Sequence, residues 1–193
     1  SPESATPAAL WRRLKTPAVV FPHGPMGTSP GQPVWDTTGG SFGPFAGQVF
    51  TGDYSRLVVR ATLEQVAGVW QGACFPFLGR NEAPPHVTGA RLKGGGTRAA
   101  FASDGSLWIA CTAGWGAGED GLQRVRWDGR AGLEILDIKL APRGLRVSFT
   151  RPLPVAELAR AAAFEIVDAD PLLTSHATLR DELELLLTEE EIE

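Results

Sequence analysis

Phe101-Ala102-Ser103-Asp104-Gly105-Ser106-Leu107-Trp108 decides how the chain is read. Ser103 to Ser106 is a turn sequence in which Asp and Gly supply the backbone geometry of a tight hairpin. Arg98 to Phe101 before it and Leu107 to Thr112 after it have the composition of paired strands. Outward from this hairpin the same punctuation recurs. Gly118-Glu119-Asp120-Gly121 precedes a strand at Leu122 to Trp127, and Asp128-Gly129 and Pro142-Arg143-Gly144 separate further strands at Leu133 to Leu140 and Leu145 to Phe149. Upstream, Gly52-Asp53-Tyr54-Ser55 divides Gly47 to Thr51 from Leu57 to Ala61, and Gly68 to Gln71 follows. Ala18 to Phe21 is a short β-branched run, and residues 22–47 read as loop with one brief strand at Val34-Trp35. Phe75-Pro76-Phe77 reads as the entry to a long loop from Gly79 to Gly96, with Gly94-Gly95-Gly96 as its flexible connector. Strands recurring every ~8–12 residues predict a sandwich or a propeller.

The end of the chain changes character. Val155 to Ala163 reads as an alanine-rich helical stretch and Phe164 to Val167 as a closing strand. Over Thr178 to Ile192, Leu179, Leu183, Leu186 and Leu187 recur with helical spacing, so an amphipathic helix is predicted, capped by Thr178 with Asp181. Glu189-Glu190-Glu191 opposes the dipole of its last turn. The divisions are a lead-in over 1–16, β blades over 17–132, a closing segment over 133–168 and an acidic amphipathic helix over 169–193.

Charge and cysteine content exclude several classes. The net charge of -4 in 193 residues comes from the tail, where residues 181–193 hold seven acidic side chains and no basic one. The remainder is only weakly basic, far from the dense basic stripe of a nucleic-acid binder. No run approaches the ~20 apolar residues of a membrane span, and residues 1–15 lack the layout of a signal peptide. Cys74 and Cys111 form neither a CxxC nor a heme-attachment motif, leaving a disulfide or two buried thiols open. His23, His86 and His176 are too scattered for a metal-ligand pattern. Asp53, Asp104 and Asp120 stand beside glycines, where turn formation outranks calcium ligation. Nucleophile-elbow, phosphate-loop and HExxH motifs are missing. Among the tryptophans, Trp108 and Trp127 fall in strand patterns and are expected in the core. Trp115, in Ala113-Gly114-Trp115-Gly116, is the candidate for stacking on a sugar.

Two segments carry a resemblance. One runs Pro22-His23-Gly24-Pro25-Met26-Gly27-Thr28-Ser29-Pro30-Gly31 and continues through Gly40-Ser41-Phe42-Gly43-Pro44-Phe45-Ala46-Gly47-Gln48 to Gly52-Asp53. The other is Gln71-Gly72-Ala73-Cys74-Phe75-Pro76-Phe77, followed by the hairpin around Asp104. In this order they resemble the C-terminal blades of glucose/sorbosone dehydrogenase-like β-propellers of planctomycete-type bacteria, over about residues 17–167. The resemblance implies a periplasmic or secreted protein whose relatives use pyrroloquinoline quinone (PQQ) and calcium and are often fused to a c-type cytochrome domain. It places Arg98 near the quinone, although one Arg of the family's pair is missing here, and it places the catalytic histidine in an earlier blade, outside this chain. No catalytic residue is assigned. His23 and Trp115 are the candidates for substrate contact.

Blade arithmetic limits what such a chain does alone. A propeller needs at least about four blades of about 40–45 residues, whereas Pro17 to Gly132 spans 116 residues. The expected fold is therefore mainly β: a partial propeller of about two blades, or a sandwich-like domain, followed by the terminal helix. The expected function is a portion of a sugar dehydrogenase-like propeller, not catalytic alone and completed by other blades or a cytochrome domain. The alternative is a non-catalytic module that binds carbohydrate or protein.

Overall fold

The computed structural model of the chain describes residues 17–24, 26–78, 92–113, 118–142 and 144–153, together with the backbone of Glu184–Leu185. Among these residues the fold is all strand and turn, with no helix. Strands β1 (Pro30–Trp35), β2 (Val49–Asp53), β3 (Val58–Val66) and β4 (Val69–Leu78) form a first sheet in that order. A second sheet holds β5 (Gly95–Phe101), β6 (Leu107–Thr112) and β7 (Gly121–Val125). The third pairs β8 (Ile135–Ala141) with β9 (Gly144–Phe149), which carries the two-residue β10 (Glu184–Leu185) on its other side. Every pairing is antiparallel except β9 with β10. These are several open antiparallel sheets, not a closed barrel.

Local sequence accounts for most of the turns. Ala67 and Gly68 both adopt positive φ, 48° and 81°, between the opposed Val66 and Val69. Two successive left-handed residues are the signature of a tight hairpin turn matched to strand twist. At the Asp104 hairpin, Gly105 has φ 78°, and Asp104 accepts bonds from the Ser106 amide at 3.0 Å and its hydroxyl at 2.6 Å.

The core lies between the first and second sheets. Val58, Phe50, Phe77 and Leu78 project from one, Leu107, Ile109 and Cys111 from the other, and Phe42 and Phe45 enter from the β1–β2 connection. Phe42 meets Phe50, Phe77 and Phe101 at centroid distances of 5.5, 5.8 and 5.1 Å. Such edge-on and tilted pairs add about 0.5–1.5 kcal/mol each beyond area burial. At one corner the two sheets touch through bare backbone. A Cβ on Gly52 would lie 2.9 Å from Gly96 Cα, and one on Gly95 would lie 2.8 Å from Tyr54 Cα.

Several readings need correction. Gly95 and Gly96 are not a flexible connector but the buried start of β5, because only glycine permits that close crossing. Phe75-Pro76-Phe77 continues β4 rather than entering a loop. Pro76 is tolerated because, among the described residues, β4 is the last strand of its sheet, where an amide can be missing without breaking a ladder. Ala18 to Phe21 forms no strand. Trp127 is exposed and rests on Gly43, and Trp108 points away from the core, because the inward positions of β6 are Leu107, Ile109 and Cys111.

Of the predicted helix Thr178 to Ile192, only Glu184–Leu185 are described, and they are extended, paired with Gly144 and Leu145. The open edge of β9 offers backbone partners that outweigh a local helical preference there. Val155 to Ala163 and Phe164 to Val167 lie outside the described residues, as do residues 79–91 of the loop expected from Gly79 to Gly96.

A buried cation is central to the attachment of the third sheet, beside a bond from the Leu140 amide to Glu64 at 2.8 Å and the packing of Leu136 on the core. Arg60, 1% exposed, donates through Nη1 to Gln48 Oε1 and to the Leu136 carbonyl, both at 2.9 Å, and through Nη2 to the Ile135 carbonyl. Its guanidinium carbon lies 5.0 Å from the ring centre of Phe45 and 4.5 Å from that of Phe75, and Glu134 stands 3.6 Å away. Burial lowers the Arg60 pKa, while Glu134 and Asp137 act to raise it. An arginine remains charged regardless.

Candidate apolar site on the first sheet

Strand alternation gives the first sheet two unlike faces. Arg60 and Val58 face the core, so Ala61 and Leu63 face outward. Register carries this outward face across the sheet, because Trp35 opposes Val49, Val49 opposes Ala61, and Ala61 opposes Cys74. Residues 18–21 lie over part of it, where the Cys74 thiol donates to the Val20 carbonyl at 3.4 Å.

A cleft of about 340 Å³ opens between that segment and the sheet, lined by Ala18, Val19, Phe21, Pro30, Gly31, Pro33, Val49, Thr51, Ala61 and Leu63. Its size falls at the lower end of small-ligand clefts, ~300–1,000 Å³. Thr51 is the one polar side chain in this lining, and its hydroxyl is turned to backbone carbonyls, of Gly31 at 3.2 Å and Gly52 at 3.1 Å. Trp35, 51% exposed, stands on the same face beside Val49. Trp70, 55% exposed, stands on it at the far corner. Burial raises the pKa of the Cys74 thiol, which keeps it protonated and poorly nucleophilic.

The residues singled out in the sequence lie elsewhere. Arg98 is exposed on the outward face of β5, and its Nη1 donates to the neighbouring Thr97 carbonyl at 3.0 Å. Close to it in register, Trp108 opposes Arg124, whose guanidinium lies 5.4 Å from the indole ring. Arg124 also donates from Nε to Ser106 Oγ at 3.1 Å and pairs with Asp104. Bonds from Ser106, then the charge of Arg124, hold the Asp104 carboxyl below its ordinary pKa. His23 is exposed in the turn before β1, closed by a Gly24 amide to Gly27 carbonyl bond of 2.8 Å. Trp115, His86 and His176 lie outside the described residues.

Asp53 is a poor calcium ligand as placed. Asp53 is fully buried and accepts from the amides of Thr28 at 2.9 Å, Ser29 at 2.7 Å and Ser55 at 2.7 Å, and also from the Ser55 hydroxyl. Burial acts to raise its pKa, but these bonds outweigh it and the pKa is lowered. A carboxylate ringed by donors has no lone pair aimed at a cation. Among the described residues no group of three or more His, Cys, Asp or Glu is placed to share a metal ion. Cys74 and Cys111 are both free thiols. None of the described helices, since there are none, is long and apolar enough to cross a membrane.

The cleft was not legible beforehand. Its walls come from four separate stretches, and only the alternation of Leu63 with Ala61 hinted at an outward apolar face. Arg60 carried a clearer signal, a lone charge inside the apolar run Leu57-Val58-Val59-Arg60-Ala61.

Comparison with protein families, with curated proteins and with solved structures found no match in any of the three.

Proposed function

We propose that this chain is a non-catalytic β module that binds a protein partner through the outward face of its first sheet. The partner inserts a large apolar side chain between residues 18–21 and the sheet. The observation that carries this reading is the cleft lining, which offers carbon on nearly every side. A sugar ring there would leave hydroxyls without partners, at a cost of about 1–3 kcal/mol for each one buried, whereas an aliphatic or aromatic side chain loses nothing. The exposed Trp35 beside the cleft fits the same use, since tryptophans are enriched where interfaces concentrate their binding energy.

Selection of a displayed peptide library against the whole chain tests this. Binders are expected to share an uncharged apolar anchor and to lose at least about tenfold in affinity with Leu63→Asp, a loss of 1.4 kcal/mol or more. Binders without such an anchor, or indifferent to Leu63→Asp in a variant whose near-ultraviolet circular dichroism is unchanged, would sink the proposal.

A second reading keeps the sugar dehydrogenase-like propeller portion. It is supported by the order of the sheets, since each of the three is built chiefly from consecutive antiparallel strands, as propeller blades are. Calorimetric titration with PQQ and calcium separates the two. Saturable binding that weakens with Arg98→Ala favours the propeller, and heats no larger than dilution favour the binding module.

A further inference from the structure

The two edges of the first sheet are built differently. On β1 the edge carries Pro30 and Pro33 with a bulge between them. Prolines and bulges are the usual devices that stop an edge from pairing with another chain. On β4 the stretch Val69-Trp70-Gln71-Gly72-Ala73-Cys74 has no proline, no charge and no register shift against β3. Among the described residues no strand pairs with its far side, and Val69 and Trp70 are exposed at 60% and 55%.

That stretch is also complementary to itself when run antiparallel. With a twofold axis at Gln71, Trp70 of one copy opposes Gly72 of the other, and Val69 opposes Ala73. A large side chain meets a small one at each step. Directly opposed residues share a face, so Trp70 comes down over the place where Gly72 has no side chain. That place is taken by β3 itself: a Cβ on Gly72 would collide with the Thr62 carbonyl oxygen and lie 3.1 Å from Leu63 Cδ2, so the surface beneath the indole is the Thr62 backbone and the Leu63 side chain. The tryptophan would therefore pack on Leu63 of the second copy.

We infer that β4 is a homodimer edge: two copies pair antiparallel about Gln71 and join their first sheets into one continuous eight-stranded sheet. Such an interface is isologous and closes on itself, so no open edge of β4 remains for further growth. The axis stands perpendicular to the sheet, which brings both apolar clefts to the same side of the dimer and leaves them open. This inference does not depend on what the clefts bind.

Sedimentation equilibrium of the full chain over a wide concentration range, joined to cross-linking, tests it. The unaltered chain is expected to be a reversible dimer. Trp70→Lys, at an exposed position, is expected to weaken association by roughly thirtyfold, the effect of losing an interface anchor worth about 2 kcal/mol. Opposed residues in an antiparallel pair sit with Cα atoms about 4.5–5.5 Å apart, within the span a disulfide accepts. Gln71→Cys is therefore expected to form a covalent dimer on mild oxidation, while Gln65→Cys on the interior strand β3 does not. A monomer throughout, a dimer unaffected by Trp70→Lys, or cross-linking through the native Cys74 in place of Gln71→Cys would each overturn the inference.

Discussion

Arg60 Nη1 bonds the Leu136 carbonyl at 2.9 Å, and this bond spans 76 positions of sequence to tie the first sheet to the third. The same guanidinium serves Gln48 and the Ile135 carbonyl. The buried cation works beside the Glu64 acceptor for the Leu140 amide and the packing of Leu136 on the core.

Arg60→Met should therefore be costly despite its similar length. It takes the Arg60 donors from the Ile135 carbonyl and the Gln48 amide oxygen, leaving the Leu136 carbonyl only its 3.0 Å bond from Gln48 Nε2, and it strips Glu134 of its buried cation, a loss of about 3–5 kcal/mol by analogy with broken buried ion pairs. Arg60→Lys should recover little, because an ammonium lacks the planar fork that reaches both carbonyls. Urea unfolding gives the stability. Hydrogen exchange should show the amides of Ile135–Ala141 loosening before those of β2 and β3.

Asp53 governs acid sensitivity. Its folded pKa is depressed, so its contribution is fully present above the ordinary carboxylate value of about 3.9 and is lost as pH falls through the lower folded value. Asp53→Asn should cost about 2–3 kcal/mol near neutral pH, as expected for hydrogen bonds to a charged acceptor. Melting temperatures measured downward from pH 5 should fall less steeply for the variant than for the unaltered chain.

Gly52→Ala should destabilise the fold although alanine is the smallest change available. The new methyl would meet Gly96 Cα and its carbonyl oxygen at 2.9 Å. Backbone cannot rotate aside as a side chain can, so the sheets must separate locally, at a cost of about 1–3 kcal/mol or more. Thermal unfolding of Gly52→Ala beside Gly47→Ala checks this. Gly47 has open space around its Cβ position, but its φ of +80° makes it a measure of backbone strain alone.

Phe42→Ala should cost about 3–5 kcal/mol, the range for removing a buried aromatic ring. Phe42 is 2% exposed and touches Phe50, Phe77 and Phe101, which belong to both packed sheets. Its loss should broaden the near-ultraviolet circular dichroism as well as lower the urea midpoint, since the cavity lies where the two sheets meet.

The sequence by itself determined the centres of most strands and several of the turns, but not where β4 and β5 begin or end. The Asp104 hairpin was readable because Asp104, Gly105 and Ser106 interact within a few residues, and strand β6 because Leu107, Ile109 and Cys111 alternate toward one side. These features depend on neighbours in the chain, where backbone geometry and period suffice. Tertiary structure decided the rest. The fate of Pro76 depended on β4 being an edge, that of Gly96 on the approach of Gly52, and that of Trp108 on which face of β6 met the core. The cleft joins residues 18–21 to Leu63, and Arg60 reaches Leu136. Contacts between residues so far apart follow from how whole sheets pack, and packing leaves no trace in local pattern.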